Sequence, residues 1–217
     1  MTTIHLVRHG EAVWNAEGKY QGQADSGLTD LGHEQAHRAA AWLRASFPHV
    51  DGVAHSDLPR VRDTAAPFLT ATGHNPLVDA RLREIDVGSW AGRTFEEIAS
   101  AEPASVAAAA SGADVRRGGG ETFAELRRRV VAALDEITAS HPPGATLVVF
   151  THGGPIRVAT AAALSLPAPG HYPIGSPDNC SVTTLAWNPG RLLAFNQQTV
   201  GTRSAPSTTT DQETRCP

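Results

Sequence analysis

Two short apolar runs, each ending in a His-Gly pair, constrain this chain more than any other feature. Ile4-His5-Leu6-Val7 leads into Arg8-His9-Gly10, and Thr146-Leu147-Val148-Val149-Phe150 leads into Thr151-His152-Gly153. Such runs read as buried strands, so each histidine leaves the carboxyl end of a strand. In an open α/β sheet that edge is where ligands bind. Two histidines delivered to one edge, the first preceded by an arginine, point to phosphate chemistry with an imidazole nucleophile. The bland alternative is a pair of strand-terminal histidines that never meet.

At 217 residues the chain can bury a full core within one domain. A net charge of −4 argues against nucleic acid or an anionic membrane as partner, although local arginines can still hold a small anion. No apolar stretch approaches the roughly 20 residues of a membrane helix. The N-terminus lacks a basic segment followed by an apolar one, so a cytoplasmic protein is expected. Cys180 and Cys216 are the only cysteines, which gives neither a disulfide framework nor a cysteine metal site. Cys180 reads as a small apolar core residue.

Residues 9 to 28 form a long polar loop, and a loop of that length in a compact domain is usually functional. Thr29 or Asp30 caps a helix to Ser46 with Ala36, Ala40 and Leu43 on one face. Val50 to His55 reads as a strand. Ser56 or Asp57 then caps a second helix, with Pro59 in its first turn and Gly73 at its end. A third short strand lies within Pro76 to Asp79. Thr94 with Glu97, and Thr122 with Glu125, fit the capping box, so two more helices start there. In the second, Phe123, Leu126, Val130, Leu134 and Ile137 keep helical spacing, leaving Arg127, Arg128 and Arg129 mostly on the solvated side. Ala104 to Gly120, lacking large apolar anchors, reads as a mobile connection over the site. After strand 146–150 a helix runs from Pro155 to Leu164, and a hairpin joins Cys180–Trp187 to Arg191–Asn196. These elements predict a three-layer α/β sandwich around a mostly parallel sheet, with one domain over residues 1–200 and a disordered tail over 201–217.

Phosphoryl transfer needs neutralised equatorial oxygens, an in-line nucleophile and a proton for the leaving group. Arg8 and Arg60 can clamp oxygens with planar, multi-donor guanidinium groups. His9 can attack phosphorus, because neutral imidazole is available near pH 7. Glu84 can protonate the departing alkoxide. His152, at the entrance of the next helix, can hydrogen-bond the transferring group, with the helix N-terminus adding partial positive charge.

These residues bring a family into view. Leu6-Val7-Arg8-His9-Gly10-Glu11, Trp14-Asn15, Gln21-Gly22 and Leu28-Thr29-Asp30-Leu31-Gly32 resemble the nucleophile segment of the histidine phosphatase superfamily, the phosphoglycerate mutase-like fold. Ser56-Asp57-Leu58-Pro59-Arg60 with Thr64-Ala65 is similar to the segment carrying its second phosphate arginine. Leu82-Arg83-Glu84-Ile85-Asp86-Val87-Gly88 resembles the acid segment, and Thr151-His152-Gly153-Gly154 the second histidine motif. The motifs come in the family's order, and order among several weak motifs makes the match specific.

The resemblance implies His9 as nucleophile, Glu84 as proton donor, and Arg8, Asn15, Arg60 and His152 as phosphate ligands, with Gln21, Gly22 and Gly153 beside them. No cofactor is expected, and no metal, because two arginines already supply the positive charge that a metal would provide. The expected substrate is a small phosphorylated metabolite, and a homodimer is among the assemblies that the sequence leaves open. Ala12 stands where the family usually has threonine or serine, Val61 replaces the usual alanine, and Arg62 makes the second arginine a question of register.

Phosphatase is favoured over a phosphoglycerate mutase-type phosphotransferase because only Gly88 to Thr94 separates the acid segment from the next helix, where cofactor-dependent mutases carry an extended insert. Two rivals come from other classes. His33-Glu34-Gln35-Ala36-His37 satisfies the H-E-x-x-H pattern of a zinc-dependent hydrolase, but it lies in the first turn of a helix whose apolar face is elsewhere. A phosphate-binding module without catalysis would require the loss of an essential residue, and none is missing. Substrate selection is expected from the 104–120 and 165–179 segments, which hold Arg116, Arg117, His171 and Tyr172.

Overall fold

A computed structural model describes residues 1–199. The predicted tail from 201 lies outside the described residues. Strands β1 (Thr2–Arg8), β2 (Gly52–His55), β3 (Leu77–Val78), β4 (Thr146–Thr151), β5 (Val182–Trp187) and β6 (Arg191–Gln197) form one sheet in the order β3-β2-β4-β1-β5-β6. β3, β2, β4 and β1 run parallel, and β5 pairs antiparallel with both β1 and β6.

The strand alternation explains the layers. Ile4, Leu6, Leu147 and Val149 point to one face, where Leu126, Val130 and Leu134 of α6 (Phe123–Ala139) and Ile156 of α7 (Gly153–Ala163) close over them. Val7, Val148 and Phe150 point to the other, against Leu43 of α2 (Asp30–Ser46) and Val61 and Phe68 of α3 (Pro59–Thr72). Each such large side chain contributes about 1.5–3 kcal/mol by leaving water. The result is the expected three-layer sandwich.

Local signals position the helices. Thr29 accepts from Gly32 N to start α2, and Gly73 ends α3 in the left-handed conformation with φ of 72°. Both capping boxes form, at α4 (Phe95–Ala101) and α6.

Four readings need correction. The 9–28 loop contains a one-turn helix, α1 (Val13–Ala16), held where the Asn15 side chain accepts from Ala12 N at 3.1 Å. Neither Ser56 nor Asp57 caps α3: Leu58 holds the N-cap position without a side-chain bond, and Asp25 Oδ1 accepts from Arg60 N in the first turn at 3.3 Å, while Ser56 turns to His152 and Asp57 pairs with Arg83. The 104–120 connection is not loop throughout, because Pro103–Ala110 forms helix α5. Pro103 suits the first helical turn and alanine has the highest helix propensity, so the missing apolar anchors did not prevent a helix. Arg127 and Arg129 are half-buried and bonded to carbonyl groups, leaving only Arg128 of that run exposed.

Candidate active site

β1 and β4 are neighbours in register, Arg8 opposite Thr151, so the residues after them emerge side by side at one sheet edge. His9 and His152 have ring centroids 5.2 Å apart at an interplanar angle of 64°. His9 Nδ1 lies 2.7 Å from the Gly10 carbonyl oxygen. A carbonyl only accepts, so Nδ1 carries the proton and Nε2 keeps its lone pair. Burial, then the charges of Arg60 and Arg8, push the pKa of His9 well below that of an ordinary histidine, against the Gly10 bond. The ring is therefore neutral at pH 7 and nucleophilic at Nε2.

Arg60 is fully buried, with Nη1 donating to Ala24 O at 2.7 Å and Asp25 Oδ1 at 3.1 Å and Nη2 to Gly22 O at 2.7 Å. Arg62 is largely exposed, and Arg60 rather than Arg62 lines the cavity. Arg8 donates to the Pro177 carbonyl. These bonds hold the two guanidinium groups rigidly, and their fixed charges need no reorganisation when an anion arrives.

His152 is fully buried, with its Nε2 3.0 Å from Ser56 Oγ and its Nδ1 without a partner among the described residues. Burial, then Arg60, holds its pKa far down as well. Glu84 reaches from the segment before Ile85; its Oε1 accepts from Ile85 N at 2.8 Å and its Oε2 from Gly154 N at 3.2 Å. Gly10 N donates to Thr64 Oγ1 at 2.9 Å, which fixes the turn behind His9.

Arg8, His9, Asn15, Gln21, Gly22, Arg60, Glu84 and Gly153 line one cavity of about 350 Å³. His152 lies beneath it, edge-on to His9. Gln21 is buried and its Oε1 accepts from Ser26 Oγ at 3.3 Å. Ser56, Thr64 and Asp25 were given no role at the site by the sequence; the first two sit inside the quoted arginine segment, and Asp25 in the loop carried no periodic signal. His33 and His37 are both exposed on α2, and among the described residues no group of three or more His, Cys, Asp or Glu is placed to hold a metal ion. Burial pushes the Cys180 thiol up to about 12, as a core cysteine requires.

The sequence profile of the histidine phosphatase superfamily (branch 1) matches residues 4–197. The chain belongs to the histidine phosphatase superfamily. Glucosyl-3-phosphoglycerate phosphatase of Mycobacterium tuberculosis is 34% identical to it over 194 residues, 85% of this chain and 86% of that protein. The probable phosphoglycerate mutase GpmB of Yersinia pestis is 33% identical over 198 residues, 89% of each chain. A solved structure of the mycobacterial glucosyl-3-phosphoglycerate phosphatase with VO3 matches at a TM-score of 0.83 and 33% identity, covering 90% of this chain and 98% of that one. This histidine phosphatase is a phosphoric monoester hydrolase, as its motifs implied. Among its described residues no helix is long and apolar enough to cross a membrane.

Proposed function

We propose that this enzyme hydrolyses a small anionic phosphomonoester through a phosphohistidine on His9. The observation that carries the reading is the His9 ring, buried, neutral and locked by Gly10 in the tautomer that leaves Nε2 free between two arginines. Nε2 attacks phosphorus as the ester P–O bond breaks. Arg8, Arg60 and His152 stabilise the charge on the equatorial oxygens, and Asn15, Gln21, Gly22 and Gly153 complete the phosphate pocket. Ser56 Oγ–H donating to His152 Nε2 would leave Nδ1–H for the phosphoryl group, which accounts for that atom having no protein partner among the described residues.

Glu84 in its acid form gives the leaving oxygen a proton. Its carboxylate then takes one from the water that attacks phosphorus and breaks the N–P bond. The arginines supply the positive charge a metal would otherwise provide.

Among the arginines at and around the cavity, which Arg117 and Arg157 line, one supports a substrate with a second negative group. Arg116 pairs with Glu125, Arg129 with Glu121, and Arg157 donates to the Ile174 and His171 carbonyls. Arg117 lies over the Phe123 ring at 4.6 Å with no hydrogen-bond acceptor or ion-pair partner among the described residues. The turn carrying it is rigid: a Cβ on Gly118, at φ of 51°, would strike the Val87 carbonyl oxygen. A half-buried guanidinium held without an acceptor is costly unless a ligand supplies one. A phosphorylated hydroxy acid, of the kind named for the mycobacterial relative, has the required chemistry.

Phosphate release from a panel of phosphomonoesters tests the reaction. Acid-quenched and base-quenched samples test the intermediate, because phosphohistidine is acid-labile and base-stable. The label should vanish in His9→Ala, and a chelator should leave the rate unchanged. Label persisting in His9→Ala would overturn the nucleophile.

A further inference from the structure

In α6, Arg129 belongs to a run of three consecutive arginines, but its surroundings are unlike those of an exposed charge. Its side chain leaves the helix between the levels of Leu126 and Ala133, both fully buried, and ends against the segment that carries Glu84. Nη1 donates to the carbonyl oxygens of Arg81 and Arg83, each at 2.7 Å. Nη2 donates to Glu84 O and Glu121 Oε2, each at 2.8 Å, and Nε to Glu121 Oε1 at 2.8 Å. Every N–H of the guanidinium therefore has an acceptor.

Glu121 continues the same device. Its Oε2 also accepts from Asp86 N at 2.9 Å, and its own N–H donates to Asp86 O at 2.8 Å. Burial opposes the carboxylate charge, but the Arg129 and Asp86 bonds outweigh it and hold the Glu121 pKa below the usual range. Between the short 3₁₀ turns at Ala80–Leu82 and Gly88–Trp90 the chain has no helix or strand to fix it. Arg129 and Glu121 grip it from both sides of Glu84 instead.

We infer that Arg129, braced by Glu121, is the positioning residue of the proton donor: it sets the backbone from which the Glu84 carboxyl reaches the leaving oxygen. The inference rests on Glu84 as the acid. Lysine cannot replace the guanidinium, since a single ammonium cannot meet carbonyls at 81, 83 and 84 and a carboxylate together. A general acid works only within hydrogen-bond reach of the atom it protonates, and a displacement of about 1 Å can cost roughly 10²-fold.

The test compares phosphoenzyme formation from an alkyl phosphate, whose leaving group needs a proton, with that from nitrophenyl phosphate, whose phenolate leaves unaided. The comparison uses wild type, Glu84→Gln, Arg129→Gln, Arg129→Lys and the Glu84→Gln/Arg129→Gln double variant. Arg129→Gln should lose about 10-fold or more on the alkyl ester and less than about 3-fold in the nitrophenyl burst. Arg129→Lys should behave likewise, and the double variant should be no slower on the alkyl ester than Glu84→Gln alone. If Arg129→Gln fails to fold, Glu121→Gln should show the same selectivity with a smaller loss.

Equal losses on both esters, or multiplicative losses in the double variant, would overturn the positioning role while leaving Glu84 as the acid. No selectivity in Glu84→Gln itself would overturn the acid assignment, and the positioning role with it.

Discussion

His9 and His152 leave adjacent parallel strands and meet edge-on with centroids 5.2 Å apart, both buried and both neutral near pH 7. Two imidazolium ions could not share that space with Arg8 and Arg60. Neutrality gives one ring a nucleophilic lone pair and lets the other act as a hydrogen-bond donor that adds no charge. The sheet register produces this arrangement, since a shift of β4 against β1 would carry His152 along the edge and away from His9.

Replacing Glu84 by Gln should slow hydrolysis of alkyl phosphates by roughly 10²–10⁴-fold, with a much smaller effect on the nitrophenyl burst. Stopped-flow bursts and steady-state phosphate release check this. Equal losses would place Glu84 in binding.

Acidification should destabilise the fold below about pH 6.5, because several histidines are buried neutral. Burial lowers His5 from 6.5 to about 4 and, with Arg157 and Arg117 adding to it, His171 from 6.5 to about 3. Between the folded and unfolded values the unfolded chain binds more protons, so stability present above 6.5 is lost as pH falls through that window. Melting temperature measured from pH 7.5 to 5 should decline steadily. Over the same range phosphoenzyme formation should persist, since His9 resists protonation. A flat melting temperature would show that the buried rings are charged.

Local patterns made most of this legible from residue order. The strands ending at His9 and His152 are apolar runs, and the caps at Thr29, Thr94 and Thr122 depend on neighbours three residues away. What escaped depends on distant approach. Arg129 lies at the flank of the apolar stripe of α6, and only the arrival of the carbonyls of Arg81, Arg83 and Glu84 turns it inward. Helix α5 escaped for another reason: its alanines favour a helix without the stripe that would announce one. Asn15 was read as a phosphate ligand; its side chain lines the cavity, and its Oδ1 also accepts from Ala12 N, a local bond that stabilises the loop.

Arg117→Ala should raise KM about 10-fold or more for phosphomonoesters with a second negative group, and leave KM for neutral alkyl phosphates nearly unchanged. Its kcat should change little, because the guanidinium rests on Phe123 and its charge is not among those that act on His9. Equal KM changes for both substrate types would remove the second anion from the substrate description. Melting temperature should hold, because the Arg117 guanidinium rests on the Phe123 ring and leaves no buried carboxylate behind when it is removed.

Gly154→Ala separates catalysis from stability most sharply. A Cβ at Gly154 would overlap Glu84 Oε1 and come within 3.2 Å of Leu126 Cδ2. Both are ends of flexible side chains, so the fold can yield at small cost, and alanine has the higher helix propensity of the two residues. Glu84 cannot yield without cost, because the same move takes its Oε2 from Gly154 N and its proton from the leaving group. Melting temperature should therefore stay within a few degrees of wild type, while hydrolysis of alkyl phosphates falls by about 10-fold or more and the nitrophenyl burst survives. A variant that melts early would mean that Leu126 and the core beneath it, rather than the acid, absorb the added methyl group. Unchanged alkyl phosphate hydrolysis would mean that Glu84 reaches the leaving group from a different rotamer than the one Gly154 holds.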